Sequence, residues 1–149
     1  MARGTGERER SMSTGERTLY TTTAVSLRDP DRVRVGEEGH RELFVVGPDA
    51  SETLFDEPAW NPEQMYAAAV ASCLHQALAL VASEVGVDTH GSRVKAVVSL
   101  EHTGPLRYSF STTVSVDLPG VEPRRRDEVI AEALRSCPMG QGMEVKATP

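Results

Sequence analysis

Hydrophobic residues dominate one long segment of the chain, residues 65–85. Asn61 precedes this segment as a helix N-cap, Pro62 stands at the first helical position, and Gln64 is placed to complete a capping box. Gly86 follows the segment and suits the left-handed conformation that closes many helices. The pattern predicts a helix that begins at Pro62, ends just before Gly86, and needs packing partners on more than one face because it is apolar nearly all round.

Several shorter segments have the β-branched and aromatic content, or the alternation, that is typical of strands. They are residues 18–27, 33–35, 42–46, 94–100 and 108–116. Turn-forming residues separate the first two segments and the last two, so each of these pairs is predicted to form an antiparallel hairpin. Residues 47–60, with two prolines and several acids, are predicted to form a long loop.

The rest of the chain completes the predicted fold. A second amphipathic helix is predicted to open at Pro123, with an apolar stripe that ends at Cys137, and a short last strand is predicted at residues 143–147. This order of elements favours an α+β fold over alternating βαβ units. Residues 1–17, rich in Gly, Ser and charge, are predicted to be a disordered tail, and residues 18–149 a single domain.

Charge and composition narrow the class of protein. The chain has 149 residues, 39% hydrophobic and 26% charged, and a net charge of -6, which argues against a nucleic-acid partner. The one basic cluster, residues 124–126, is followed by Asp127 and Glu128 and is interpreted as a solvated face. Polar residues interrupt the long apolar helix, and the start of the sequence shows no secretory leader, so we expect a cytoplasmic protein without a membrane span.

Two cysteines, Cys73 and Cys137, carry the candidate chemistry, and several interpretations of them stay open at this point. They could be inert core residues, since free cysteine is among the most buried residue types. A zinc site is disfavoured because His75 would point to another side of the helix from Cys73, and a Cys–His nucleophile lacks a motif that places a histidine against the thiol. In a two-cysteine thiol peroxidase, one thiolate would become a sulfenic acid and the other thiol would close a disulfide.

The peroxidase interpretation requires a positive partner for Cys73. This thiol lies about twelve residues into its helix, beyond the reach of the N-terminal dipole, and apolar surroundings would raise its pKa. An arginine suits the role, because it stays charged when buried and can donate to a carboxylate and to sulfur at the same time.

The run Asn61-Pro62-Glu63-Gln64-Met65 through Ser72-Cys73, with Cys137-Pro138 near the other end of the chain, resembles the organic hydroperoxide resistance (Ohr) branch of the OsmC/Ohr superfamily. The resemblance covers about residues 18–147. It implies antiparallel sheets packed around a long buried central helix in an intertwined homodimer. It also implies a peroxidase that reduces organic and fatty-acid hydroperoxides, takes electrons from dihydrolipoyl groups of lipoylated proteins, and needs no metal or flavin.

The resemblance also implies roles for single residues. Cys73 matches the peroxidatic cysteine, Cys137 the resolving cysteine, and Glu63 the glutamate that pairs with an arginine of the first hairpin. We expect that arginine to be Arg28, with Arg32 as second choice. Ten helical residues separate Glu63 from Cys73 by about 15 Å along the axis and about 80° around it, so we expect one of the partners of each thiol to come from the other subunit.

Alternatives accompany these assignments. An acid in the first turn of a helix, such as Glu63, is favourable with the helix dipole without any catalytic role. The side chains around the helix start that could line an apolar substrate entrance are equally typical of core packing, and they are Phe55, Trp60, Met65 and Tyr66. The alternative function is a non-catalytic member of the superfamily that senses oxidation or carries an apolar ligand.

Overall fold

The first sheet contains five short strands. The computed structural model describes residues 17–36, 41–49, 53–54, 56–140 and 144–148. Within this part, the strands are β1 (Ala24–Leu27), β2 (Arg32–Val35), β3 (Arg41–Val45), β4 (Thr53–Leu54) and β5 (Glu57–Trp60), in the order β1-β2-β3-β5-β4. All neighbours are antiparallel except β3 and β5, which run parallel.

The long helix α1 (Pro62–Glu84) follows β5 directly, and local hydrogen bonds fix its start. The Gln64 backbone N–H donates to Asn61 Oδ1 at 2.8 Å, and the Asn61 backbone N–H donates to Gln64 Oε1 at 3.1 Å, which completes the capping box. Gly86 follows the helix with a φ of 70°, a conformation that most side chains disfavour. The predicted start and end of this helix are therefore confirmed.

The second half of the chain supplies the other sheet and the second helix. Strands β6 (Arg93–Gly104) and β7 (Arg107–Asp117) form a long antiparallel hairpin. Helix α2 (Pro123–Ser136) leads to β8 (Glu144–Ala147), which pairs parallel with β7.

The core lies where α1 meets α2 and the inner face of the β6–β7 hairpin. Alternation along β7 places Val114 and Val116 in this core, and the stripe of α2 contributes Val129, Ile130 and Ala133. Each fully buried aliphatic side chain contributes about 1.5–3 kcal/mol to stability relative to an exposed one. The residues of α1 buried on this side are Val70, Leu74, Ala77, Leu78 and Ala82.

The opposite side of α1 remains open in the single chain. Leu80 is 70% exposed, although the helix is apolar nearly all round. By length and composition α1 could cross a membrane, and its other side packs in the core of the domain. The open side of α1, which includes Ala68, Ser72, Gln76 and Leu80, is called the free face of α1 below.

The predicted α+β class is confirmed, and two local predictions are wrong. The first strand was expected from residue 18 but begins at Ala24. The expected loop 47–60 contains β4 and β5, because β3 offers a free edge with which β5 pairs although Pro58 disfavours a strand. The tail expected at residues 1–17 lies outside the described residues except for Arg17, and the division at residue 18 stays a prediction.

Candidate active site

The structure brings the two thiols together. Cys73 lies in the middle of α1 and Cys137 directly follows α2, 64 residues later, and their sulfur atoms are 3.2 Å apart. Both are free thiols. The Cys137 backbone N–H donates to the Ala133 carbonyl at 2.9 Å, so the last turn of α2 holds the residue in place. Two thiols at this separation can form a disulfide with little movement of the backbone.

Cys137 is the more protected of the two thiols. It is 3% exposed, whereas Cys73 is partly exposed. Burial raises the pKa of the Cys137 thiol above its ordinary value, and the hydrogen bond with Cys73 acts in the same direction. Backbone hydrogen bonding from Met139 and Gly140 acts in the opposite direction and partly offsets this increase in pKa.

Cys73 opens into a cavity of about 860 Å³, called the thiol groove below. Its walls come from the second half of α1, the end of α2 and the segment before β1, and they are mostly apolar. The residues that line the thiol groove with Cys73 include Leu19, Tyr20, Ala77, Leu80, Val81 and Pro138. An apolar molecule in this groove would therefore lie against the Cys73 thiol.

Glu63 lines a different cavity. In the first turn of α1 it borders a space of about 670 Å³, called the Glu63 groove, whose other walls include Leu100, Tyr108 and Phe110 of the β6–β7 hairpin. The Glu63 Oε2 atom is buried and has no hydrogen-bond partner among the described residues. Because a buried carboxylate oxygen without a partner is costly, this atom indicates a donor that the described residues of one chain do not supply.

Neither candidate arginine contacts a cysteine or Glu63 within the described part of one chain. The Arg28 side chain is 85% exposed, and its Nε lies 3.5 Å from Asp31 Oδ1. The Arg32 side chain is 20% exposed; its Nη1 donates to the Pro30 carbonyl at 2.8 Å, and its Nε is 3.4 Å from Glu42 Oε1. Arg32 therefore holds the first hairpin together, whereas the guanidinium of Arg28 is available to another molecule.

The residues expected at an apolar entrance have different positions. Phe55 lies outside the described residues. Trp60 is 40% exposed, Met65 is half-buried, and the ring of half-buried Tyr66 packs 5.0 Å from that of Phe110. The sequence argument missed the hairpin side chains of the Glu63 groove, although the alternation of β7 already placed Tyr108 and Phe110 on one face.

Other chemistries weighed for the cysteines find little support here. His75 Nε2 is hydrogen-bonded to Ser92 Oγ at 2.8 Å, so this histidine is committed to the β6 side of α1 and not to Cys73. Within the described ranges, no group of three or more His, Cys, Asp or Glu side chains could hold a metal ion. The pair of thiols is the chemical group that the geometry offers.

Comparison with known proteins assigns the class to which this fold and this thiol pair belong. The family model described as "OsmC-like protein" matches residues 55–148, and the chain belongs to this family. Peroxiredoxin OsmC of Escherichia coli (strain K12) is 30% identical over 104 residues, which cover 68% of this chain and 73% of the relative.

Within the OsmC/Ohr superfamily, the chain is most like the Ohr branch, as the motif around Cys73 predicted. Organic hydroperoxide resistance protein OhrA of Bacillus subtilis (strain 168) is 28% identical over 120 residues, which cover 80% of this chain and 85% of the relative. The crystal structure of an organic hydroperoxide resistance protein from Elizabethkingia anophelis superposes with a TM-score of 0.75 at 25% identity and covers 89% of this chain and 97% of that chain.

Proposed function

We propose that the protein is a two-cysteine peroxidase that reduces organic hydroperoxides, including those of fatty acids, to alcohols. The observation that carries the proposal is the pair of free thiols 3.2 Å apart, one of which opens into an apolar groove. The names of the relatives, an organic hydroperoxide resistance protein and a peroxiredoxin, support the same chemistry.

The proposed reaction uses both thiols in turn. The Cys73 thiolate attacks the terminal oxygen of the hydroperoxide, the O–O bond breaks, and the alkoxide leaves and takes up a proton to become the alcohol. Cys73 is then a sulfenic acid. The Cys137 sulfur attacks the Cys73 sulfur, the S–O bond breaks, and water leaves with the proton of Cys137. An external dithiol supplies two electrons and reduces the resulting disulfide by thiol–disulfide exchange.

The different exposure of the two sulfurs favours Cys73 as the sulfur that attacks the peroxide and Cys137 as the one that forms the disulfide. Cys73 borders the thiol groove, so it is the sulfur that a substrate or a dithiol reaches, whereas Cys137 is 3% exposed and has Cys73 as its neighbour. Apolar walls favour bulky organic hydroperoxides over hydrogen peroxide, because only the former bury apolar surface on binding. We propose dihydrolipoyl groups of a lipoylated protein as the dithiol, with no bound cofactor, and a cytoplasmic location.

The proposed active unit is a homodimer in which Arg28 of one subunit approaches Glu63 of the other. Glu63 Oε2 is buried without a partner among the described residues, and the side chain of Arg28 is 85% exposed. The free face of α1, with Leu80 70% exposed, offers apolar surface for a second copy to cover. An arginine that binds Glu63 of the other subunit and also reaches Cys73 would stabilise the thiolate that attacks the peroxide.

The test measures turnover of cumene hydroperoxide with dihydrolipoamide as reductant, in the wild type, Cys73→Ser and Cys137→Ser. We expect rapid turnover by the wild type and none above background by Cys73→Ser. Cys137→Ser should consume one equivalent of peroxide in a burst and then turn over slowly, because its sulfenic acid lacks the neighbouring thiol. If the wild type consumes peroxide no faster than Cys73→Ser, the protein is not a peroxidase, and a sensory or ligand-carrying role becomes the better explanation.

A further inference from the structure

The chain reverses sharply after Cys137. The Cys137 carbonyl accepts a hydrogen bond from the Gly140 backbone N–H at 2.9 Å, while the Cys137 N–H is still bound to the last turn of α2. This segment, Cys137–Gly140, is called the resolving turn below. It folds back onto the end of α2, and Gly140 is buried there.

Gly140 leaves no room for a side chain. A Cβ atom at this position would lie 2.4 Å from the Leu134 carbonyl oxygen and 3.1 Å from the Cys137 carbonyl oxygen. Both obstacles are backbone atoms, the first in the last turn of α2 and the second in the resolving turn itself, so they cannot rotate away as a flexible side chain would. By contrast, a Cβ at Gly104 would meet the Arg107 side chain at an ordinary 3.8 Å. A residue larger than glycine at position 140 must therefore push the turn away from α2.

Opening the turn would change the surroundings of the Cys137 sulfur. Met139 and Gly140, whose backbone hydrogen bonding lowers the pKa of Cys137, belong to the segment that would move. The separation of 3.2 Å between the two sulfurs also depends on where the end of α2 holds Cys137. A displaced turn would therefore act on a residue that is in contact with Cys73.

We propose that Gly140 is a positioning residue for the disulfide step: it lets the resolving turn close on α2, which holds Cys137 against Cys73. This inference rests on the proposed function for the step it accelerates. In that step the new bond joins the two sulfurs and the S–O bond of Cys73 breaks. In reduction, a thiolate of the dithiol attacks the Cys73 sulfur, the S–S bond breaks, and Cys137 leaves as a thiolate.

The kinetic test compares Gly140→Ala with wild type and with Gly104→Ala as a matched glycine control. Each protein receives one equivalent of cumene hydroperoxide, and mass spectrometry follows dimedone-trapped Cys73 sulfenic acid and the disulfide over time. We expect the rate of sulfenic acid formation to agree within about twofold in all three, since Gly140 acts only after the attack on peroxide. The disulfide should form at least about tenfold more slowly in Gly140→Ala, with sulfenic acid accumulating. Disulfide formation at the wild-type rate in a folded Gly140→Ala would overturn the proposal.

A second measurement does not depend on peroxidase activity or on the folding of Gly140→Ala. Equilibration with glutathione redox buffer gives the effective concentration of one thiol toward the other in the wild type. We expect a value far above the millimolar range of a flexible tether, because the turn presents Cys137 in contact with Cys73. A millimolar value overturns the proposal. A high value in a protein that does not reduce peroxide contradicts the proposed function but leaves the positioning role intact, so the two failures are distinguishable.

Discussion

A dimer that carries Arg28→Ala in one subunit and Glu63→Gln in the other tests whether each active site contains residues of both chains. If the site that contains Cys73 takes Arg28 from one subunit and Glu63 from the other, a dimer with one substitution in each subunit keeps one complete site. The other site then carries both lesions. If both residues come from one chain, every site in this divided dimer is damaged.

The structure sets the size of the effect. Glu63 Oε2 is fully buried and lacks a donor in the described part of the single chain, so the arginine would form a charge-assisted hydrogen bond in a site shielded from water. Loss of such a bond costs about 1.5–3 kcal/mol, which corresponds to a rate about 10–150 times lower. Each homodimeric variant should fall by this factor, whereas the divided dimer should keep about half of the wild-type rate, because one of its two sites is intact.

The assay uses two affinity tags, co-expression and sequential purification, followed by turnover of cumene hydroperoxide with dihydrolipoamide. The matched control is a dimer of the wild type with a subunit that carries both substitutions. This dimer carries the same two substitutions, but both are in one subunit, so each shared site has one lesion. Its activity should be close to that of the homodimeric variants. The opposite result, half activity in the control and little in the divided dimer, would refute a shared site.

Two further outcomes follow from the free face of α1 and from the burial of Cys137. Leu80 is 70% exposed in one chain, so its burial in a two-fold dimer would contribute about 2–4 kcal/mol; Leu80→Glu should weaken dimerisation at least about 30-fold by analytical ultracentrifugation. Leu106→Glu, at a 92% exposed residue in the β6–β7 turn, is the control, and equal dissociation constants for the two variants would contradict this role for Leu80. Because burial raises the pKa of Cys137, its thiolate fraction increases with pH throughout the neutral range, and disulfide formation followed by stopped-flow should accelerate about tenfold per pH unit from pH 7 to 8. A rate that is already constant below pH 8 would show that the thiolate of Cys137 is not the attacking species.

The secondary-structure elements that depend on local interactions could be predicted from the sequence. The Asn61–Gln64 capping box operates over three residues, and Gly86 ends the helix by its own backbone freedom, so α1 was predicted with its bounds. The alternation of β7 likewise identified the strand and its buried face. The strand β5 was missed because its pairing with β3 depends on an edge created elsewhere in the fold.

In the candidate site, too, some features were predictable from the sequence and others depend on packing. The sequence pointed to both cysteines by their type and by the motif around Cys73, and to Glu63 by its place in that motif. It contained no information on the distance between the sulfurs, since residues 64 positions apart meet only through the packing of α1 against α2. The role proposed for Gly140 was equally hidden, because the Leu134 carbonyl oxygen that excludes a Cβ belongs to α2, against which the turn closes.

Local chemistry thus specified a long apolar helix, its caps, an α+β order of elements and two thiols of unknown relation. Tertiary packing decided that these thiols touch, that Cys73 opens into a groove while Cys137 is buried, and that a carboxylate oxygen of Glu63 has no donor among the described residues. The physical reason is the range of the interactions along the chain. Caps, turns and alternation act within a few residues, whereas contact, burial and unsatisfied hydrogen bonds arise only when distant segments pack.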